Sequence, residues 1–279
     1  MSGRAIMTCC ARMFQVAEDF SKPEKSQSRC AAPMIEFQDV HKSFGARTVL
    51  DGFTLTIPDG ETTVLMGFSG SGKSVTLKHI VGLLEPDTGR VLVDGESVGD
   101  LGYDGLMRLR SRIGFVFQFA ALFDSLSVYD NLALGLRRQE LPPEEISRRV
   151  AESLRLVELS GAEERFPAEL SGGMRKRVGI ARAIALKPRY ILYDEPTTGL
   201  DPVTTAAMDE LMLRARRELG VTSVVVTHDV RSAFAVGDRV AFLYEGRIRL
   251  AGPVAEVRET ADPLVRGFIE GRPAMGERV

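Results

Sequence analysis

Eight residues constrain this chain more than any others: Gly67-Phe68-Ser69-Gly70-Ser71-Gly72-Lys73-Ser74. They fit the pattern G-x-x-x-x-G-K-[ST], between an apolar run, Thr63 to Met66, and a helical pattern over Lys73 to Leu83. The closely spaced glycines free the backbone to turn its N–H groups toward one point, and the following helix aims its positive dipole end there. Such a loop is a cradle for phosphate oxygens. Gly67, Ser69, Gly70, Ser71, Gly72 and Val75 form or border that cradle. Lys73 reaches the terminal phosphates and Ser74 offers its hydroxyl to Mg²⁺. A glycine-rich turn from strand to helix shares the composition but does not require the Gly-Lys-Ser ending.

About 120 residues further on, Tyr190-Ile191-Leu192-Tyr193-Asp194-Glu195 is an apolar strand ending in two carboxylates. A parallel strand buried beside the one before the loop would deliver Asp194 to the metal ion. Glu195, one residue later, is placed to polarise an attacking water as general base.

The surroundings of these motifs read as an α/β body. Strand patterns at Met34–Gln38, Thr54–Ile57, Thr63–Met66, Arg90–Val93 and Ile113–Phe117 give way to a helical block over Ser127 to Leu186. In that block Ile146, Val150, Leu154 and Val157 carry helical spacing after Pro142-Pro143. Strand patterns return at Tyr190–Tyr193, Ser223–Val226 and Val240–Tyr244. Residues 1–33 differ in character and are read as a flexible extension or a mis-assigned start, with Met34 opening the fold. The chain holds 36 Lys+Arg against 38 Asp+Glu, so a dedicated polyanion binder is disfavoured. Its three cysteines all lie within the first 30 residues, which excludes a disulfide framework for the body and fits a reducing compartment. No run reaches the length of a membrane span.

A phosphate loop alone is compatible with kinases, GTPases and many motors. Leu170-Ser171-Gly172-Gly173-Met174, continued by Arg175-Lys176-Arg177-Val178-Gly179-Ile180-Ala181-Arg182-Ala183, resembles the signature motif of ABC-type ATPases. Ser171 with two glycines at a helix start is a second anion cradle. One cradle serves one nucleotide, so a second suggests ATP held between two copies. The resemblance extends over about residues 34–252. It implies a P-loop ABC ATPase domain with a RecA-like core, an antiparallel β-subdomain near 34–60 and 90–98, and a helical subdomain near 119–185. A short helical tail over 253–279 would follow.

By the same resemblance Gln118 is the Q-loop residue that senses Mg²⁺, and Asp201 belongs to the D-loop. His228 is the switch histidine at the γ-phosphate, and Phe44 lies where the family stacks an aromatic, usually Tyr, on adenine. The ATP site would then join Lys73 and Ser74 of one copy to Ser171, Gly172 and Gly173 of another, in a head-to-tail dimer.

Longer segments resemble the ATPases of Mla/MCE-type lipid transporters. They are Gly67 to Leu84, Phe117 to Asn131 with its Ala120-Ala121-Leu122-Phe123, Met174 in the signature, and the ending Phe268-Ile269-Glu270-Gly271. This implies partnership with a multispanning permease dimer and an MCE-domain lipid-binding protein, leaves room for a small STAS-like accessory protein, and involves no nucleic acid. The site of action would be the cytoplasmic face of the inner membrane, reached through the permease. The alternatives are the ATPase of a generic importer for small solutes and a regulatory ABC ATPase that moves no substrate. A nucleic-acid-acting ABC protein would carry tandem domains, long coiled-coil inserts or basic linkers, and this chain has none of them.

Overall fold

A computed structural model describes residues 33–272. The extension expected over 1–33 therefore lies outside the described residues, except that Pro33 opens the first strand. Strands β1 (Pro33–Phe44) and β2 (Arg47–Pro58) form a long antiparallel hairpin. Strand β4 (Thr88–Val93) pairs with the other edge of β1, and the two-residue β5 (Glu96–Ser97) pairs with β4. The order of this antiparallel sheet is β2-β1-β4-β5.

The second sheet has the order β10-β9-β3-β8-β7-β6. Its strands are β3 (Thr62–Gly67), β6 (Ile113–Val116), β7 (Tyr190–Asp194), β8 (Thr222–Val226), β9 (Arg239–Tyr244) and β10 (Arg247–Pro253). All run parallel except β10, which returns antiparallel along β9. The central strands β3 and β8 are buried at every residue, as expected when a parallel sheet is covered on both faces. Side chains alternate across the sheet with period two. Ile191 and Tyr193 of β7 join one core cluster, and Tyr190 and Leu192 join the other. The second cluster fills the space toward the antiparallel sheet, where Phe37 and Phe53 meet edge to face at 5.0 Å.

The helices divide between these layers. The first, α1 (Lys73–Ile80), leaves the phosphate loop, and α2 (Tyr103–Ser111) precedes β6. The sequence pattern suggested a helix to Leu83, but Gly82 takes a left-handed φ of 62° and its N–H turns back to the His79 carbonyl. Strand β6 likewise stops at Val116, one residue short of the expected end, and Phe117 stands out toward solvent.

The helical block comprises α3 (Val128–Arg137), α4 (Pro143–Leu156) and α5 (Gly172–Ala185). Ser127 caps α3 by accepting from the Asp130 N–H, and Pro143 sits at the start of α4, where a missing N–H costs nothing. Ile146, Val150, Leu154 and Val157 are all buried, as their spacing predicts. Each such side chain contributes about 1.5–3 kcal/mol from burial. The remaining helices, α6 (Pro202–Leu219), α7 (Val230–Val236), α8 (Val254–Arg258) and α9 (Pro263–Ile269), follow the C-terminal half of the parallel sheet.

Candidate active site

The glycine loop joins β3 to α1 at the C-terminal edge of the parallel strands, the usual place for ligands in such sheets. A Cβ on Gly67 would lie 2.4 Å from the Leu243 carbonyl oxygen of β9, and one on Gly72 would lie 2.8 Å from Val49 of β2. Only glycine allows the loop to pass that close. No side chain caps α1 and no acid occupies its first turn, so its first N–H groups are left for a ligand or water.

Lys73 is buried, and its Nζ donates to the Gly67 and Phe68 carbonyls at 2.9 Å each. Burial pulls its pKa down, while Glu195 and Asp194 pull it up. Ser71 Oγ is buried with no hydrogen-bond partner among the described residues. Ser74 Oγ donates to Asp194 Oδ1 at 2.7 Å, across 120 residues of sequence. Burial raises the Asp194 pKa, and the Ser74 hydrogen bond opposes that rise.

Asp194 ends β7, and Glu195 follows with a φ of 50°, a left-handed conformation that a non-glycine residue rarely adopts. Its N–H donates to the Val226 carbonyl on β8 at 2.9 Å, which holds the bend. The Glu195 carboxylate accepts from Thr198 Oγ1 at 2.9 Å and lies 2.8 Å from His228 Nδ1. The Glu195 side chain is 12% exposed and that of His228 is 50% exposed, so the pair spans the edge between interior and solvent.

These groups line one open cleft of about 480 Å³. Its lining combines Ser69, Gly70, Gly72, Lys73, Ser74 and Val75 of the loop and α1 with Gln118, Glu195 and His228, and with Phe44, Arg47 and Val49 of the β1–β2 hairpin. Gly67 and Ser71 belong to the same loop, and Asp194 stands behind Ser74. Phe44 is 48% exposed, and Lys42 Nζ approaches its ring to 5.6 Å, so this ring already attracts cationic or electron-poor partners. Ser171, Gly172, Gly173 and Asp201 do not line the cleft. Ser171 and Asp201 instead cap the starts of α5 and α6, accepting from the Met174 N–H and from the Val203 and Thr204 N–H groups.

The donor set fits a nucleotide triphosphate with Mg²⁺. Glycines whose Cβ would collide hold a tight cradle, the Ser71 hydroxyl finds no partner among the described residues, and the Ser74–Asp194 pair offers two hard oxygens. Three residues near the cleft were not marked out by sequence. Arg47 Nη2 donates to the Gly70 carbonyl at 3.0 Å, Thr198 holds Glu195, and Lys176 of α5 donates to the Pro196 and Thr198 carbonyls at 2.9 and 2.6 Å. Each acts through a tertiary contact, and only Lys176 and Thr198 even fall inside recognisable motifs.

Comparison with known proteins agrees with this geometry. Residues 50–198 match the ABC transporter family. The chain is 43% identical over 239 residues to "Probable ribonucleotide transport ATP-binding protein mkl" of Mycobacterium leprae, covering 85% of this chain and 69% of that protein. It is 42% identical over 256 residues to the methionine import ATP-binding protein MetN of Caulobacter vibrioides, covering 88% and 77%. It is 39% identical over 241 residues to the intermembrane phospholipid transport system ATP-binding protein MlaF of Escherichia coli K12, covering 86% and 90%. Among solved structures, the dimeric cassette MJ0796 bound to ADP and Pi superposes with a TM-score of 0.73 at 36% identity, over 79% of this chain and 99% of that one.

Proposed function

Since this chain belongs to the ABC transporter family, as an ATP-binding and ATP-hydrolysing subunit, we propose that it powers the movement of phospholipid between membranes of the cell envelope. Domains of this family dimerise and work with a membrane permease. Among the described residues no helix is long and apolar enough to cross a membrane, in keeping with attachment through such a permease.

In the proposed chemistry the loop N–H groups and Lys73 hold the β- and γ-phosphates of ATP, and Lys73 exchanges its carbonyl contacts for phosphate oxygens. Ser74 and Asp194 would hold Mg²⁺, which when bound offsets phosphate charge. Glu195 accepts a proton from the water that attacks the γ-phosphorus, and the leaving bridging oxygen stays with ADP. His228 and Thr198 hold the Glu195 carboxylate in position. Gln118 lines the same cleft as Glu195. Ser171, Gly172, Gly173 and Asp201 act on the nucleotide of a second copy, which accounts for their absence from this cleft. Catalysis is positioning and charge compensation more than covalent chemistry.

The lipid reading is carried by the segment after Gln118, which resembles that of lipid transporters. It presents Phe119, 84% exposed, and Phe123, 52% exposed, as an apolar docking face for a permease. The similarity to MlaF also runs over 90% of that protein. A permease dimer, an MCE-domain protein and a STAS-like protein would complete the assembly, at the cytoplasmic face of the inner membrane. The importer alternative keeps its place, because relatives named for methionine and for spermidine/putrescine import match at 42% and 43% identity. The test is purification of this chain from its native membranes, with mass spectrometry of copurifying proteins and lipids. An MCE-domain protein and phospholipid are the expected result. A solute-binding protein without lipid would refute the lipid reading and leave the ATPase chemistry intact.

A further inference from the structure

Phe68 is the second residue of the phosphate loop, yet its side chain does not line the cleft. It packs into an aromatic socket on the far side. The Phe268 ring of α9 meets it edge to face at 5.0 Å, and Phe242 and Tyr244 of β9 approach at 6.1 Å. Phe268 and Phe242 meet each other at 5.0 Å, so the three phenylalanine rings close a single cluster.

Two segments far apart in sequence, the loop and the chain's last described helix, thus share one hydrophobic contact. The helix is fastened at its start. Asp262 caps it by accepting from the Leu264 and Val265 N–H groups, and Arg249 of β10 donates to the other carboxylate oxygen at 2.8 Å. Val265 of this helix is fully buried. The backbone of Phe68 is also where Lys73 rests, since its carbonyl accepts from Lys73 Nζ at 2.9 Å and from the Ser71 N–H at 3.2 Å. A shift of the Phe68 ring therefore moves the perch of the lysine and the turn that aims the loop N–H groups.

We propose that α9 is a positioning element of the phosphate loop: Phe268, seated against Phe68, holds the loop in its nucleotide-binding form, so that docking of the C-terminal helix sets the affinity for ATP. Phe268 touches no reacting atom. It acts through Phe68, and a ligand or partner that pulled α9 away would loosen nucleotide without entering the cleft. The inference rests on the loop being the nucleotide site and is independent of what the transporter carries.

The experiment is titration of the full-length chain with the fluorescent nucleotide mant-ATP and Mg²⁺, beside steady-state ATPase measurements and thermal melting. Phe268→Ala removes two edge-to-face ring contacts and should weaken binding roughly three- to tenfold, raising KM while kcat at saturating ATP stays within about twofold. Phe268→Tyr keeps the ring and should retain near wild-type affinity. Phe68→Ala should weaken binding to a similar degree, and the double variant should be little worse than either single one. Arg249→Ala cuts only the exposed fastening of α9 and should weaken binding about twofold. A lowered melting temperature with unchanged affinity in Phe268→Ala would mean simple packing and overturn the proposal. If Phe268→Ala does not fold, wild-type affinity in Arg249→Ala overturns it. Lys73→Ala, which should abolish binding, tests the nucleotide reading of the loop separately, because wild-type affinity there would remove the site itself.

Discussion

At the scale of single residues, Glu195 combines a strained backbone with a side chain held by two partners. Its left-handed φ of 50° is kept by a hydrogen bond to β8, and Thr198 and His228 fix the carboxylate. Strain of this kind costs on the order of 1–3 kcal/mol and persists where the surroundings over-determine it. Glu195→Gln preserves shape and most hydrogen bonding but cannot take a proton from water. We expect this variant to bind ATP with near wild-type affinity and to accumulate a closed dimer on gel filtration, with turnover reduced on the order of 10²-fold or more. Robust hydrolysis would remove Glu195 from the base role. Glu195 was legible in the sequence because strand, carboxylate pair and turn are contiguous. Its holders differ in this respect. The importance of Thr198 and the reach of Lys176 from α5 depend on how loop and helix meet, and no local pattern encodes that. Arg47 sits in a polar stretch of a hairpin strand, and only the fold brings it over Gly70.

Secondary-structure elements were legible where one face is apolar and the other polar. The four-residue spacing along α4 located that helix, and the short, mainly apolar runs of β3, β7 and β8 were clear from composition. The long α6 was not read from the sequence, although Met208, Leu211, Met212 and Ala215 carry helical spacing beside a buried acid, Asp209. Strand β10 was not read either: it is an edge strand whose exposed residues, Arg247, Arg249 and Ala251, alternate with half-buried ones and bring in two charges. Asp209 itself ties α6 to α7, accepting from the Ser232 hydroxyl. Burial, with a smaller push from Asp229, raises its pKa from 3.8 to about 6. The carboxyl is thus favoured in its protonated form in the folded chain. Its stabilising contribution is complete below about pH 4 and is lost as pH rises through about 6. Asp209→Asn keeps the shape without the charge. It should flatten the dependence of melting temperature on pH between 4 and 6 and stabilise the chain at neutral pH by roughly 1–3 kcal/mol. An unchanged pH profile would exclude Asp209 as the titrating group.

At the scale of the whole molecule, the nucleotide cleft and the signature segment are separate surfaces of one chain. Phe119 belongs to a third surface, projecting beyond the strained pair Ala120 and Ala121, whose carbonyls are held by Arg182 of α5 at 2.8 and 2.6 Å. Removing so exposed a ring should leave the melting temperature nearly unchanged. Phe119→Ala is expected to lower permease-stimulated ATP turnover severalfold in reconstituted vesicles while nucleotide affinity stays put. Equal stimulation of variant and wild type would take this surface out of the permease contact. At this scale the family resemblance already paired the loop of one copy with Ser171 to Gly173 of another; within one chain the loop, Gln118, Glu195 and His228 line one cleft and Ser171 to Gly173 do not. That division has a population-level consequence. If each catalytic unit draws one half from each of two chains, activity at low expression should scale with the square of concentration. A copy damaged only in its serine-glycine segment should silence the loop of a sound companion, so a mixed pair keeps one working site of its two, and at equal expression mixed pairs outnumber intact ones by about two to one.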